Sequence, residues 1–153
     1  MYTPWLIELW AAPAALGFAL LFNVPPKALW MCGILAVSGH AVRKLVLIID
    51  GDMVFGTLLA ALLIGIVAEL WADRHNQPGV IYAISAAIPM IPGKSMYQSV
   101  QALLGIATMS AEADGTALLV AAGVHGVKAI MIVLALAFGI AAPLLLLPKR
   151  GRS

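Results

Sequence analysis

The sequence predicts an all-α, polytopic membrane protein: one transmembrane domain over residues 1–153, with about five membrane-spanning helices and a broken fourth helix. Three observations carry that prediction. Hydrophobic residues make up 63% of the chain and charged residues only 10%, and the mean hydropathy of +1.02 lies far outside the range of soluble globular domains. Apolar runs recur at roughly the 20 helical residues that a bilayer core requires. Prolines, glycines and short charged clusters punctuate those runs.

Composition also excludes several classes. The net charge is only +2, and no Lys/Arg run alternates with aromatics as a nucleic-acid surface would, so no nucleic-acid partner is expected. The single cysteine, Cys32, sits among Trp30, Met31, Gly33 and Ile34. It reads as a packed small hydrophobe, because one cysteine assembles neither a disulfide framework nor a cysteine metal site.

The first span is predicted over 5–22. Its start, "MYTPWLIELW", lacks the positive region of a cleaved signal and carries Trp5 and Trp10 where an interfacial belt sits. It closes at "FNVPPK", where Pro25 and Pro26 cannot continue a helix. The second, 28–49, carries His40, Arg43 and Lys44 within it. The third, 53–71, is the cleanest and ends on Trp71 as an interfacial anchor. The fourth, 79–110, is broken at 89–94. Its first half is too short to span and its second half carries Tyr97, Gln98, Ser99 and Gln101, so together they form one crossing from two half-helices. The fifth, 116–147, is long enough to require tilt or a kink near His125-Gly126, with a second bend at Pro143.

Loop charge sets the orientation, because cytoplasmic loops collect Lys and Arg. Five spans place Lys27, "DRH" at 73–75 and "KRGRS" at 149–153 on one side. Glu8, "DGD" at 50–52 and "AEADG" at 111–115 fall on the other. The basic set is expected inside, giving N-out and C-in. A four-span alternative, in which 28–49 does not cross, separates "DRH" from "KRGR".

Three motifs, "GFALLFNVPPKAL" at 17–29, "GHAVRK" at 39–44 and "IPMIPGKSMY" at 88–97, resemble the threonine/serine exporter (ThrE-type) family, specifically its small split subunit (YjjB-like). The likeness runs from about Gly17 to the C-terminus. It implies a secondary exporter of small polar metabolites in the bacterial cytoplasmic membrane, working with a larger YjjP-like subunit. Threonine and serine are the family's named substrates, and dicarboxylates such as succinate are associated with split pairs. Lys94 departs from the hydrophobic residue that the resemblance implies after the Pro-Gly.

The residues themselves point to a site at the break. A helix interrupted at membrane depth leaves backbone groups unpaired, which is tolerable only inside protein or beside a polar cavity. In "PGKSMYQ" the second half-helix begins near Gly93. Its free N–H groups and positive dipole end suit a carboxylate, and broken helices of this kind build substrate sites in many secondary transporters. Pro92, Gly93, Lys94, Ser95 and Tyr97 are the candidates there. The alternative is a packing kink at Pro89 and Pro92, with Lys94 snorkelling to an interface.

Two basic pairs, His40 with Arg43 and His125 with Lys128, are spaced i, i+3 and so share a helix face. A charge at the bilayer centre costs about 2.5–3.5 kcal/mol on insertion scales, so such groups face a cavity or a partner. Counting from the span ends places these residues and Lys94 between the midplane and the outer leaflet, as one electropositive chamber for anionic carboxylates. Blander readings stay open. Lys44 and Lys128 snorkel, Arg43 pairs with Asp50, and His40 is a packing histidine or, by its titration near neutral pH, a proton carrier. Glu69 and Asp73 are solvated interface charges. Gly56, Ala60, Ala61 and Gly65 suit close helix contacts.

No catalytic constellation, cofactor loop or metal motif is found, so an enzyme is not expected. The expected function is a membrane subunit of a secondary exporter of small polar metabolites, with a lipid bilayer, a larger subunit and a small carboxylate or amino acid as its partners. The alternatives are a scaffold subunit without its own substrate site and, far behind, a metal enzyme using His40, His125 and Asp50.

Overall fold

The computed structural model describes residues 5–110 and 113–147. Ala111, Glu112 and the tail at 148–153, which entered the loop-charge argument, lie outside the described residues, as does the side chain of Trp5. All regular structure among the described residues is helical. A 3-10 turn at Trp5–Trp10 leads into α1 (Ala11–Leu21), and a second, Pro26–Ala28, leads into α2 (Leu29–Ile48). Next come α3 (Met53–Arg74) and α4 (Gly79–Ala87). A third 3-10 turn, Ile88–Met90, precedes α5 (Gly93–Thr108) and α6 (Thr116–Leu146).

Three stretches are long and apolar enough to cross a membrane: Pro26–Ile48, Met53–Arg74 and Thr116–Leu146. Leu6–Leu21 and Gly79–Met90 are apolar but shorter. The five predicted spans therefore resolve into three helices of spanning length and three shorter ones, the fourth span being divided between Gly79–Met90 and α5. The physical reason lies in the prolines: Pro25 and Pro26 follow the end of α1, and Pro89 and Pro92 cut the fourth helix. The second segment forms one continuous helix despite its three bases. The last runs unbroken through His125-Gly126, with Pro143 inside it.

Three helix ends share one device. After α1, α2 and α3 the chain turns through a left-handed residue, Asn23 (φ 58°), Asp50 (φ 58°) and Asn76 (φ 52°). The following N–H reaches back to an orphan carbonyl: Val24 to Ala19 (2.9 Å), Gly51 to Val46 (2.9 Å) and Gln77 to Ala72 (3.0 Å). This is the Schellman arrangement, and Asn and Asp tolerate the left-handed conformation it needs. At its other end α3 is capped by Asp52, whose carboxylate accepts from the Val54 N–H at 2.7 Å.

The chain divides into two compact units. The first takes the described residues up to Met90 together with those from Ala135; the second is Ile91–Leu134. In the first, α3 presents two neighbouring i+4 rows of mostly small buried residues, Gly56-Ala60-Ile64-Ala68 and Thr57-Ala61-Gly65. A Cβ on Gly139 would lie 2.4 Å from Cβ of Ala61, and one on Gly65 would lie 3.0 Å from Pro143 and 3.1 Å from the Gly139 carbonyl. Pro143 has no N–H to give that carbonyl, so its freed oxygen lies over Gly65, where a larger residue would not fit.

At the other contact of α3, Gly39 of α2 leaves room for Ile64 and for the Met90 sulfur. Where Trp71 was expected as an anchor, its ring meets Trp30 edge to face (5.0 Å between centroids) and stacks on His75 (4.3 Å). Glu69, expected to be a solvated charge, is instead buried (8% exposed). Its carboxylate packs on Gly79, the first residue of α4, where any Cβ would collide with it.

In the second unit α5 and the first part of α6 form an antiparallel hairpin. Ser99 Oγ donates to the Ala122 carbonyl across the pair at 2.9 Å, and Gly105 makes room for Leu118. In an apolar surrounding a hydroxyl needs such a partner. Outside the helices, Asp114 accepts from both the N–H and the hydroxyl of Thr116. Those hydrogen bonds hold its carboxyl below the ordinary value.

Candidate functional site

The helix interruption at 88–92 places the first part of the site. A regular helix would carry the Met90 carbonyl to the N–H four residues on; the prolines at 89 and 92 and the turn between them stop that ladder. The carbonyl accepts instead from Arg43 of α2, 3.2 Å from the guanidinium nitrogen. Gly39, one turn earlier on α2, lies against Ile64, where a Cβ would come to 2.5 Å, and within ordinary contact of the Met90 sulfur. The "GHAVRK" motif thus meets Met90, the last first-unit residue of "IPMIPGK", within the first unit. The predicted Arg43–Asp50 pair is not formed: Arg43 turns to the break, and Asp50 is exposed at the end of α2.

Beside Arg43 lies a second charged group. Glu8, from the turn at Trp5–Trp10, reaches α2 with both carboxylate oxygens. Oε2 accepts from His40 Nδ1 at 3.1 Å, and Oε1 lies 3.3 Å from Lys44 Nζ. His40 and Lys44 are four residues apart and so stack on one face of α2. The side chains are well covered, at 12% exposure for each base and 18% for Glu8. Nε2 of His40 is buried without a hydrogen-bond partner among the described residues. Lys44, for which snorkelling was one reading, is ion-paired.

The remaining predicted residues belong to the second unit. Pro92 precedes the first turn of α5 without a side-chain cap. Gly93 and Lys94 are exposed, Ser95 is half-buried, and Tyr97 is 65% exposed. On α6, His125 is half-buried and Lys128 exposed. The register fixed by Ser99 with Ala122 and Gly105 with Leu118 puts Lys94 and Tyr97 at the same end of the hairpin as His125 and Lys128. The predicted set therefore falls into two groups, His40 with Arg43 in the first unit and the other seven in the second. No cluster of three or more His, Cys, Asp or Glu that could hold a metal ion is present among the described residues.

Residues 8–146 match the threonine/serine exporter family, ThrE. The chain belongs to that family. An uncharacterized protein of Haemophilus influenzae is 43% identical over 98 residues, which cover 64% of this chain and 33% of the relative. The match thus spans about a third of the relative's length. No solved structure matches. The family is one of exporters rather than enzymes, and with helices of membrane-crossing length the exporter-family chain is a membrane protein.

Two site members were not anticipated in the exporter-family chain. Glu8 was assigned to a loop, yet it hydrogen-bonds His40 and pairs with Lys44. A lone acid inside "WLIELW" was the available signal, because an acid in an apolar run requires a partner. The Met90 carbonyl had its own signal, in that a break at membrane depth releases an acceptor that something must satisfy.

Proposed function

We propose that this chain is a membrane subunit of a secondary exporter for small polar metabolites, threonine- or serine-type amino acids or small dicarboxylates, and that it works by alternating access with a larger YjjP-like subunit. The observation that carries the proposal is the interrupted helix whose freed carbonyl is held by Arg43 beside the Glu8–His40–Lys44 group. Bases at this depth are costly unless they serve a polar path, and a broken helix is a recurrent element of such paths. Lys94, Ser95, Tyr97, His125 and Lys128, at one end of the α5–α6 hairpin, are a second proposed group of ligand-binding residues. Its cationic character favours ligands bearing a carboxylate.

In this proposal the chain crosses the bacterial inner membrane five times, N-out and C-in. The short apolar helix Leu6–Leu21 makes one crossing, and α4 and α5 together make another. The relative's greater length is in keeping with a membrane partner that is fused in some proteins and separate in others.

The test is efflux. Cells expressing this chain with the larger subunit, loaded with serine, threonine or succinate, should export one of them faster than cells with either subunit alone. Lys94→Ala and His40→Ala should each abolish that export while the two subunits still co-purify. The second reading, a scaffold, draws on the satisfied ion pairs of Glu8. It predicts unchanged export by every assembled variant, and that result would remove the proposed route.

A further inference from the structure

We propose that His40 and Lys44 form a carboxylate seat whose resident occupant is the chain's own Glu8, so that a free carboxylate competes with this side chain for the same place. The inference deepens the exporter reading, since it rests on carboxylate ligands passing this region.

The geometry is that of a bound carboxylate. One oxygen of Glu8 takes His40 Nδ1 at 3.1 Å and the other takes Lys44 Nζ at 3.3 Å. The two bases stand one turn apart on α2, so they present donors to both oxygens of any carboxylate placed between them. Glu8 arrives from elsewhere in the chain, 32 residues away from His40, near the start of the helical stretch Leu6–Leu21. His40 also keeps Nε2 buried and unpartnered, a polar atom that Glu8 leaves unused. Buried polar atoms without partners are rare enough to need a reason, and an incoming ligand with a second polar group supplies one. Arg43, the other charged group beside the seat, is already engaged with the Met90 carbonyl at the helix break. Displacement of Glu8 would thus occur next to the interruption.

Chemical rescue tests the seat. In the purified full chain, Glu8→Ala should lower the thermal midpoint, because Lys44 loses an ion-pair partner and His40 a hydrogen-bond partner. Acetate or succinate should then restore most of the loss, while chloride at matched ionic strength should not. In Glu8→Ala/Lys44→Met the restoration should vanish. Restoration by chloride as large as by the carboxylates would overturn the seat. Should Glu8→Ala fail to fold, the near-isosteric Glu8→Gln gives a second readout. Radiolabelled succinate should bind it about tenfold more tightly than the unaltered chain, a difference of about 1.4 kcal/mol, and equal or weaker binding would overturn the proposal. The efflux assay is independent. Failed rescue with efflux intact removes the seat and leaves the exporter, whereas rescue without efflux keeps the seat and removes the exporter reading.

Discussion

Arg43 is a charge inside an apolar helix, and a single acceptor explains its position. Its guanidinium donates to the Met90 carbonyl, which the break has deprived of a helical partner. Arg43→Ala should therefore cost about 1–3 kcal/mol, the penalty for leaving a buried acceptor unmade, read as a lowered thermal midpoint in detergent. Arg43→Lys should recover part of the loss, because an ammonium reaches one acceptor as well as a guanidinium does.

Between α5 and α6, Asp114 offers a pH readout outside the spans. Its hydrogen bonds from Thr116 depress its pKa in the folded state. Their contribution is therefore complete above the unfolded-state pKa and lost as pH falls through the folded value. Thr116→Val should move the Asp114 titration, followed by NMR in micelles, back up toward 3.8.

At this scale the bases of α2 were legible in the sequence, because a charge in an apolar run announces its own cost. Their partners were not. Glu8 is far from His40 in sequence, and no periodicity links a 3-10 turn to a helix formed later in the chain.

Among the elements, α3 and the end of α6 meet through backbone rather than side chains. Gly139→Ala would drive a Cβ to 2.4 Å from Ala61 and to 3.0 Å from the Leu58 carbonyl. A backbone obstacle cannot step aside, so the substitution should cost about 1–3 kcal/mol. Gly123→Ala, with nothing within 4 Å of the new Cβ, should instead be neutral or stabilising by about 0.5–1 kcal/mol, as the chain loses unfolded-state freedom. The paired thermal midpoints of these two variants check the contact.

The small-residue rows of α3 could be read from spacing alone, and so could the interruption before Gly93. What covers the rows could not, because Gly65 pairs with the stretch around Gly139-Pro143, more than seventy residues on. Glu69 misled for a related reason. Beside Asp73 and Arg74 it looks like part of a wet helix end, but Gly79 allows α4 to begin directly against it and close it off.

For the whole molecule, the five-span arrangement makes a directional prediction. With Cys32 replaced by Ala, single cysteines at Lys27 and Arg74 should react with an impermeant thiol reagent only from the cytoplasmic side, and one at Asp52 only from outside. Labelling of Lys27 and Asp52 from the same side would show that the second helix does not cross, and would restore the four-span alternative.

The sequence by itself determined that the chain is helical and belongs in a membrane, where helices begin and end, and that one of them is interrupted. Each of these follows from local chemistry: apolar runs of bilayer length, and prolines without an N–H that interrupt them. Only the tertiary structure decided who satisfies whom. It joined Glu8 to His40 and Lys44 and brought Arg43 to the freed carbonyl of Met90. It also divided the predicted site residues between two compact units. Burial of charge demands a partner but does not name one, and the choice among distant residues is made when the helices pack.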